Sequence, residues 1–188
     1  MALLPEISRR RTIRRFAQTP IPREKLRLLI EAARRAPCAT NRQKLRYVVV
    51  TRQDLLGQLF DLTHYAALVA PRRTPEWGKT SPTAMIAVCP VGGVDPILHA
   101  DAGAAIENLL IQAEAEGIGT CWVGSFDPQA AQELLGVPVL YLLAVGYPDE
   151  TPELVDAAPG DSLAYFLDEH DVLCVPKLTV DALCHFID

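Results

Sequence analysis

The sequence predicts a globular fold that mixes α-helices with short β-strands. Three observations carry this. Residues 99–116 set Ala102, Ala105, Ile106, Leu109, Leu110 and Ala113 at helical spacing, one wide apolar stripe. Residues 47–51 and 84–89 are short β-branched or apolar runs bounded by polar and turn residues, the pattern of buried strands. The 188 residues are 49 % hydrophobic and 22 % charged, an ordinary globular composition with length enough for one core. No apolar run approaches the ~18 residues that cross a bilayer, so no membrane association is expected.

The elements follow in order. Pro22 suits the first turn of a helix whose apolar positions, Leu26, Leu29, Ile30 and Ala33 among them, run to Pro37. Residues 37–43 are a loop of small and polar side chains. The strand at 47–51 follows, then one or two short helices over 52–69. Residues 70–82 hold Pro71, Pro75, Pro82, Trp77 and Gly78, so they read as a long loop and a candidate lid. The strand at 84–89 ends in a turn at Gly92, Gly93 and Pro96. The long helix runs from His99 to Glu116, with Asp101 in its first turn and Gly117 as its stop. A third strand covers 120–124, a short helix 128–135 and a fourth strand 139–145, closed by Gly146 and Pro148. Residues 148–161 read as an exposed extended connection. An apolar run at 172–175 and a last helical turn or two reaching Phe186 finish the chain.

Several chemistries lack their residues. No Gly-x-Gly-x-x-Gly follows a strand and no Walker sequence occurs. His64, His99, His170 and His185 are scattered without metal spacing, so no metal is expected. Ser81 and Ser125 stand in no nucleophile elbow. The five cysteines, Cys38, Cys89, Cys121, Cys174 and Cys184, form no Cys-x-x-Cys pair. They read as reduced thiols in a cytoplasmic protein, and the first residues, acidic by Glu6, do not read as a signal peptide. If the protein is an enzyme, a cofactor carries the chemistry.

Charge singles out residues 9–16, where five arginines fall within eight positions. Residues 1–46 carry 13 basic side chains against 3 acidic ones, while the rest carry 5 against 20. From Thr80 onward the only cation is Lys177, among 17 acids. Such a block asks for an anion. Two readings compete: a solvated basic arm, in one variant touching nucleic acid with a steep salt dependence, and a phosphate clamp of Arg10, Arg11, Thr12 and Arg14. Arginine's planar fork gives phosphate two parallel charge-assisted hydrogen bonds, and Thr12 adds a hydroxyl donor. The arm lacks interleaved aromatics and the whole chain is acidic at −5, which argues against nucleic acid.

Four stretches in order resemble the FMN-dependent nitroreductase family: residues 10–16 (RRTIRRF), 36–43 (APCATNRQ), 101–126 (DAGAAIENLLIQAEAEGIGTCWVGSF) and 142–148 (LLAVGYP). Val175, Pro176 and Lys177 are similar to the family's late basic position. The resemblance implies an α+β fold, a mostly antiparallel central sheet flanked by helices, in an intertwined homodimer. It treats 1–188 as one FMN-binding domain whose C-terminal arm, 149–188, packs on the partner subunit. It implies that Arg10, Arg11, Thr12 and Arg14 hold the FMN phosphate and ribityl chain. Pro37, Cys38, Ala39 and Asn41 would reach the flavin of the partner subunit, residues Val123, Gly124 and Ser125 would lie along the flavin edge, and Lys177 would be a late phosphate contact. The departures are Lys44 and Leu45 where the family often has Pro-Trp, Cys38 where serine is usual, and a short region between the second and third strands. Cys38 reads as a small packing residue or as a thiol beside the flavin.

The function implied is an FMN-dependent oxidoreductase that passes electrons from NADH or NADPH to a small organic acceptor, such as a nitroaromatic or quinone, by a ping-pong mechanism. No side chain need act as acid or base. Trp77, in the candidate lid, is the expected substrate contact, against the alternative that it only packs on the surface. The alternatives are another flavin task on the same fold (dehalogenation, ring desaturation, flavin fragmentation or flavin storage) and a non-enzymatic anion or nucleic-acid binder.

Overall fold

The computed structural model describes residues 2–187. At its centre, β5 (Tyr141–Pro148) is paired along both edges, with β3 (Ala84–Pro90) on one side and β4 (Gly119–Val123) on the other. Outside β3 lies β2 (Leu45–Val50), and β1 (Phe16–Ala17) joins the end of β5 at Tyr147 and Pro148. Every strand pair in this five-stranded sheet is antiparallel.

Helices cover both faces, so β3 and β5 are buried on both sides and read as unbroken apolar runs. Ala84, Ile86 and Val88 of β3, with Leu143 and Val145 of β5, meet α2 (Arg23–Ala33) and α4 (Pro96–Ala115). Met85, Ala87 and Cys89, with Leu142 and Ala144, meet α3 (Gln53–Asp61) and α5 (Pro128–Leu135). The N-terminal helix α1 (Pro5–Arg9) lies against α4.

Several element boundaries differ from the sequence expectation. Helix α4 starts at Pro96 rather than His99, because Asp95 caps it by accepting the Leu98 amide at 2.7 Å. A proline at the first helical position gives up an N–H that has no partner there anyway. Asp101 is therefore in the second turn, buried, and does not serve the helix dipole. Strand β5 runs on through Gly146 to Pro148, because Phe16 packs where a side chain at 146 would stand. Beyond β5 the supposed connection forms β6 (Glu153–Ala157), which pairs in parallel with β8 (Leu173–Leu178); β7 (Phe166–Leu167) flanks β8 antiparallel. The last helix, α6 (Val180–Leu183), is a single turn and stops short of Phe186.

This C-terminal sheet is tied to its own chain. Arg72 pairs with the Asp171 carboxylate, buried Arg73 donates to the Asp171 carbonyl, and Leu68 donates its amide to Tyr165 Oη at 3.4 Å. Val180, Leu183, Phe186 and Ile187 beyond it are all exposed.

An added Cβ at Gly146 would lie 2.8 Å from Phe16 Cδ1 and 2.9 Å from its Cβ. Phe16 is fully buried and cannot step aside. Gly146→Ala is therefore expected to destabilise the fold by ~1–3 kcal/mol, the usual cost of overpacking. Urea unfolding measures it, and an unchanged midpoint would mean that Phe16 is not seated as described.

Candidate functional site

The arginine segment is laid along the sheet. Ile13 and Phe16 are buried anchors, and the Ile13 amide donates to the Thr120 carbonyl at 2.8 Å, so Thr12 runs beside Thr120 at the outer edge of β4. Gly119 makes room for Ile13, whose Cβ would stand 2.9 Å from an added methyl. From the far end of β5, Glu150 Oε1 accepts the amides of Arg14 at 2.5 Å and Arg15 at 3.1 Å. Glu150 is a residue that sequence reasoning misses, hidden in an acidic stretch 136 positions from its partner.

The four residues of the expected clamp differ in how free they are. Arg10 reaches Glu107 at 3.4 Å. Arg11 turns back to the carbonyls of Ser8, at 2.9 Å, and Arg10, at 2.8 Å. Thr12 is half-buried against β4. Arg14 stacks its guanidinium on the Tyr165 ring at 4.8 Å and pairs with no carboxylate among the described residues. Arg14 lies close enough to β4 to act on Cys121: burial pushes that thiol up to about 11, and the Arg14 charge pulls the other way.

Residues 123–125 close β4, a few residues on from Thr120, where the segment pairs. Val123 is buried, while Gly124 and Ser125 are exposed, and nothing lies within 4 Å of a Cβ added at Gly124. The stretch is held from the other side, where Ser125 accepts the His64 amide at 2.9 Å and Thr63 bridges Phe126. Trp77 packs on α3, its ring 5.6 Å from that of Phe60 and against Gly57, and is 42 % exposed. The 70–82 loop around it is anchored rather than loose. Thr80 accepts the Phe16 amide at 3.0 Å, and Ser81 accepts Gln18 Nε2 at 2.9 Å.

The 37–43 loop follows a distorted 3₁₀ turn in which Thr40, Asn41 and Gln43 all have left-handed backbone, with φ of +50°, +53° and +46°. None is glycine, so each costs roughly 1–2 kcal/mol. Asp101 of α4 and Asp95, which caps that helix, hold the loop through Arg42 and Ala39: Ala39 N–H donates to Asp101 Oδ1 at 3.0 Å, Arg42 Nε to Asp101 Oδ2 at 3.1 Å, and the Arg42 fork grips Asp95 with two contacts of 2.9 Å. Sequence reasoning misses all three. Pro37 and Cys38 open onto a cavity of about 350 Å³, with Ile30, Ala33, Tyr47 and Ala105 on its walls. Burial pushes the Tyr47 phenol up to about 12.

The two halves of the expected site meet α4 at different points. Arg10 meets α4 at Glu107 and the 37–43 loop meets it at Asp101, ~9 Å apart along the helix axis and on different sides of it. Lys177 is exposed on β8 opposite Asp156, in no ion pair among the described residues. No group of His, Cys, Asp and Glu suited to a metal ion occurs among the described residues, and no helix is long and apolar enough to cross a membrane.

The model of the nitroreductase family matches residues 7–81 and 93–147. The chain belongs to the nitroreductase family. The match takes in the arginine segment, the 37–43 loop, Trp77, the β4 end and α4, and stops short of Glu150 and the C-terminal sheet with Lys177. An NADH dehydrogenase of Thermus thermophilus is 30 % identical, over 76 % of this chain and 84 % of its own. An NADPH-flavin oxidoreductase of Vibrio harveyi is 27 % identical, over 80 % of this chain and 67 % of its own. Among solved structures, a nitroreductase family protein of Clostridium novyi is 26 % identical with TM-score 0.65, covering 79 % of this chain and 86 % of its own. A Desulfovibrio desulfuricans protein solved in complex with FMN is 26 % identical with TM-score 0.64, covering 81 % of this chain and 91 % of its own. The α+β fold expected from the resemblance is the fold of these nitroreductase structures.

The Arg42 fork, with the Leu98 amide, holds the Asp95 carboxyl at about 2, below the ordinary carboxylate range. A carboxyl whose pKa falls on folding adds stability above its unfolded value, ~3.9, and gives it up as pH drops through the folded value. Arg42→Met should therefore flatten the loss of stability between about pH 4 and pH 2. Urea unfolding over that range measures it, and parallel wild-type and variant curves would rule out the ion pair in solution.

Proposed function

We propose that this nitroreductase is an FMN-dependent oxidoreductase, a homodimer that passes electrons from NADH or NADPH to a small organic acceptor by a ping-pong mechanism. The observation that carries the reading is the seating of the arginine segment against β4, which fixes the backbone of Arg14, whose guanidinium pairs with no carboxylate among the described residues, on the strand that ends in the open backbone at Gly124. A phosphate needs such a cationic fork, and a planar ring system needs backbone approachable without a side chain in the way. The names of the Vibrio harveyi and Desulfovibrio desulfuricans relatives point the same way.

FMN, when bound, supplies the redox chemistry. The chain's own groups then position it. Arg10, Arg11, Thr12, Arg14 and Lys177 hold the phosphate and ribityl chain, and the amides of residues 123–125 line the ring edge. Pro37, Cys38, Ala39 and Asn41 come from the partner subunit, with Cys38 packing. This accounts for the separation of the two sets along α4. The unpaired outer edge of β2 and the exposed apolar side chains of Leu3, Leu4, Ile7, Val180, Leu183, Phe186 and Ile187 support a partner. The C-terminal arm packs on it through its free end, past Leu178, and the interface exceeds ~2,000 Å² as obligate dimers do. The setting is the cytoplasm, and neither membrane nor nucleic acid takes part.

The purified protein should be yellow, hold one FMN per subunit and prefer FMN to riboflavin. Arg14→Ala should weaken FMN by ~1.5–3 kcal/mol, a lost charged hydrogen bond. Titration by flavin fluorescence measures both, and equal affinity for riboflavin removes the phosphate clamp. NADH or NADPH should bleach the colour anaerobically and a quinone restore it. A bound flavin that dithionite reduces but neither nicotinamide does would overturn the electron-donor assignment.

Trp77 is the proposed substrate contact. Trp77→Ala should leave FMN affinity as it is and change the rate of one half-reaction in stopped flow. Wild-type rates in both would reduce Trp77 to a packing residue on Gly57 and Phe60.

A further inference from the structure

The 37–43 loop carries its reactive-side residues on backbone that the chain does not adopt unaided. Three left-handed residues without glycine persist only where the surroundings over-determine them. Within the loop, Asn41 N–H donates to the Cys38 carbonyl at 3.0 Å, Gln43 Nε2 to Asn41 Oδ1 at 3.1 Å, and Gln43 N–H to Cys38 Sγ at 3.4 Å. These contacts are exposed or local. The contacts that tie the loop to the rest of the fold are those of Arg42 and Ala39 with α4.

We propose that Arg42, Asp95 and Asp101 are positioning residues: they clamp the 38–43 loop to the first two turns of α4 and so present Cys38 and Asn41 in one fixed conformation. The proposal rests on the reading that this loop faces FMN across the dimer. Asp101 is buried and both of its oxygens are used, one by Ala39 N–H and one by Arg42 Nε. Arg42 is mostly buried too, its side chain 18 % exposed, and its fork closes on Asp95. Asp95 in turn caps α4 through the Leu98 amide at 2.7 Å. The loop, the cap and the second turn of the helix therefore form one hydrogen-bonded unit. Loss of Arg42 leaves a buried carboxylate with a single donor, which the loop relieves by opening toward water.

Geometry separates arginine from lysine here. Arg42 donates to two carboxylates at once from a rigid plane, whereas a lysine ammonium at the end of a flexible stem cannot meet both with the same alignment. Arg42→Lys keeps the charge and loses the clamp.

The test uses the FMN-loaded dimer and reads three quantities: amide hydrogen exchange at residues 39–43, the visible circular dichroism of the bound flavin, and the two half-reaction rates. Arg42→Met is expected to speed exchange at 39–43 at least tenfold while amides of β3 stay protected, to alter the flavin dichroism, and to change a half-reaction. Arg42→Lys is expected to fall between. Asp101→Asn should behave like Arg42→Met, and combining the two should add little, as for residues in one network. If Arg42→Met does not fold, Arg42→Lys and Asp101→Asn carry the test. Exchange at wild-type rates in every variant overturns the clamp and leaves FMN binding untouched. Faster exchange with wild-type dichroism and half-reactions overturns the positioning role and, with it, the placement of the loop at the flavin. A wild-type protein that takes up no FMN fails the functional reading instead, and the exchange experiment on that same protein still decides whether the clamp exists.

Discussion

Two absent side chains hold the arginine segment in place. Gly119 on β4 and Gly146 on β5 leave the space that Ile13 and Phe16 fill, each within 3 Å of where a methyl would stand. Only glycine permits that approach, and with both anchors buried the residues between them lose their freedom. Thr12 pairs along the outer edge of β4, and Arg14 and Arg15 cross from there to β1 with their amides on Glu150. Backbone bonds to Thr120 and Thr80 and the Glu150 carboxylate complete the attachment. The segment is therefore no free basic arm. Its guanidinium groups project from a fixed backbone, and a binding site needs that, because side chains ordered in advance lose less freedom when a ligand arrives.

The charge asymmetry of the sequence has an answer inside the chain as well as a proposed one outside it. The acidic second half supplies partners to the basic first half, most of them from α4 and its cap. Arg9 meets Glu114, Arg10 meets Glu107, Lys25 meets Glu116, and Arg42 meets Asp95 and Asp101. These pairs are unequal. Arg9 and Lys25 are solvent-screened and contribute little, whereas Arg42 and Asp101 are largely buried and would leave an uncompensated charge if parted. An excess of arginine in one stretch thus marks where acids elsewhere must fold back, and only the cations left over are available to a ligand.

What was legible in the sequence follows from the range of the forces involved. Helix α5 is found at its bounds because Pro128, the apolar spacing and Gly136 act locally. Strands β3 and β5 announce themselves because both faces are buried. Helix α4 is legible in its middle and not at its start, since Pro96 reads as a turn until Asp95 is seen to cap it. Strand β6 is hidden because Glu153 and Asp156 point to water from a short strand of a small sheet. The four stretches of family resemblance lie almost wholly within the residues that the family model matches. Glu150, Arg42, Asp95 and Asp101 escape because their bonds join positions 53 to 136 residues apart, and no local pattern foretells them.

The part of the chain outside the family match reaches the backbone of the arginine segment through Pro148, Asp149 and Glu150, and one of its side chains through Tyr165. Tyr165 lies under the Arg14 guanidinium, and Tyr165 is held in turn by the Leu68 amide and by the grip of Arg72 and Arg73 on Asp171. A cation stacked on a ring keeps its in-plane donors free, because the contact uses the face of the guanidinium and not its edge. Arg10 and Arg11 have part of that edge committed to protein oxygens. Of the arginines in the expected clamp, Arg14 is thus the one whose edge is least committed and whose direction is set from below. Tyr165, by setting that direction, couples a segment beyond the family match to the arginine segment inside it.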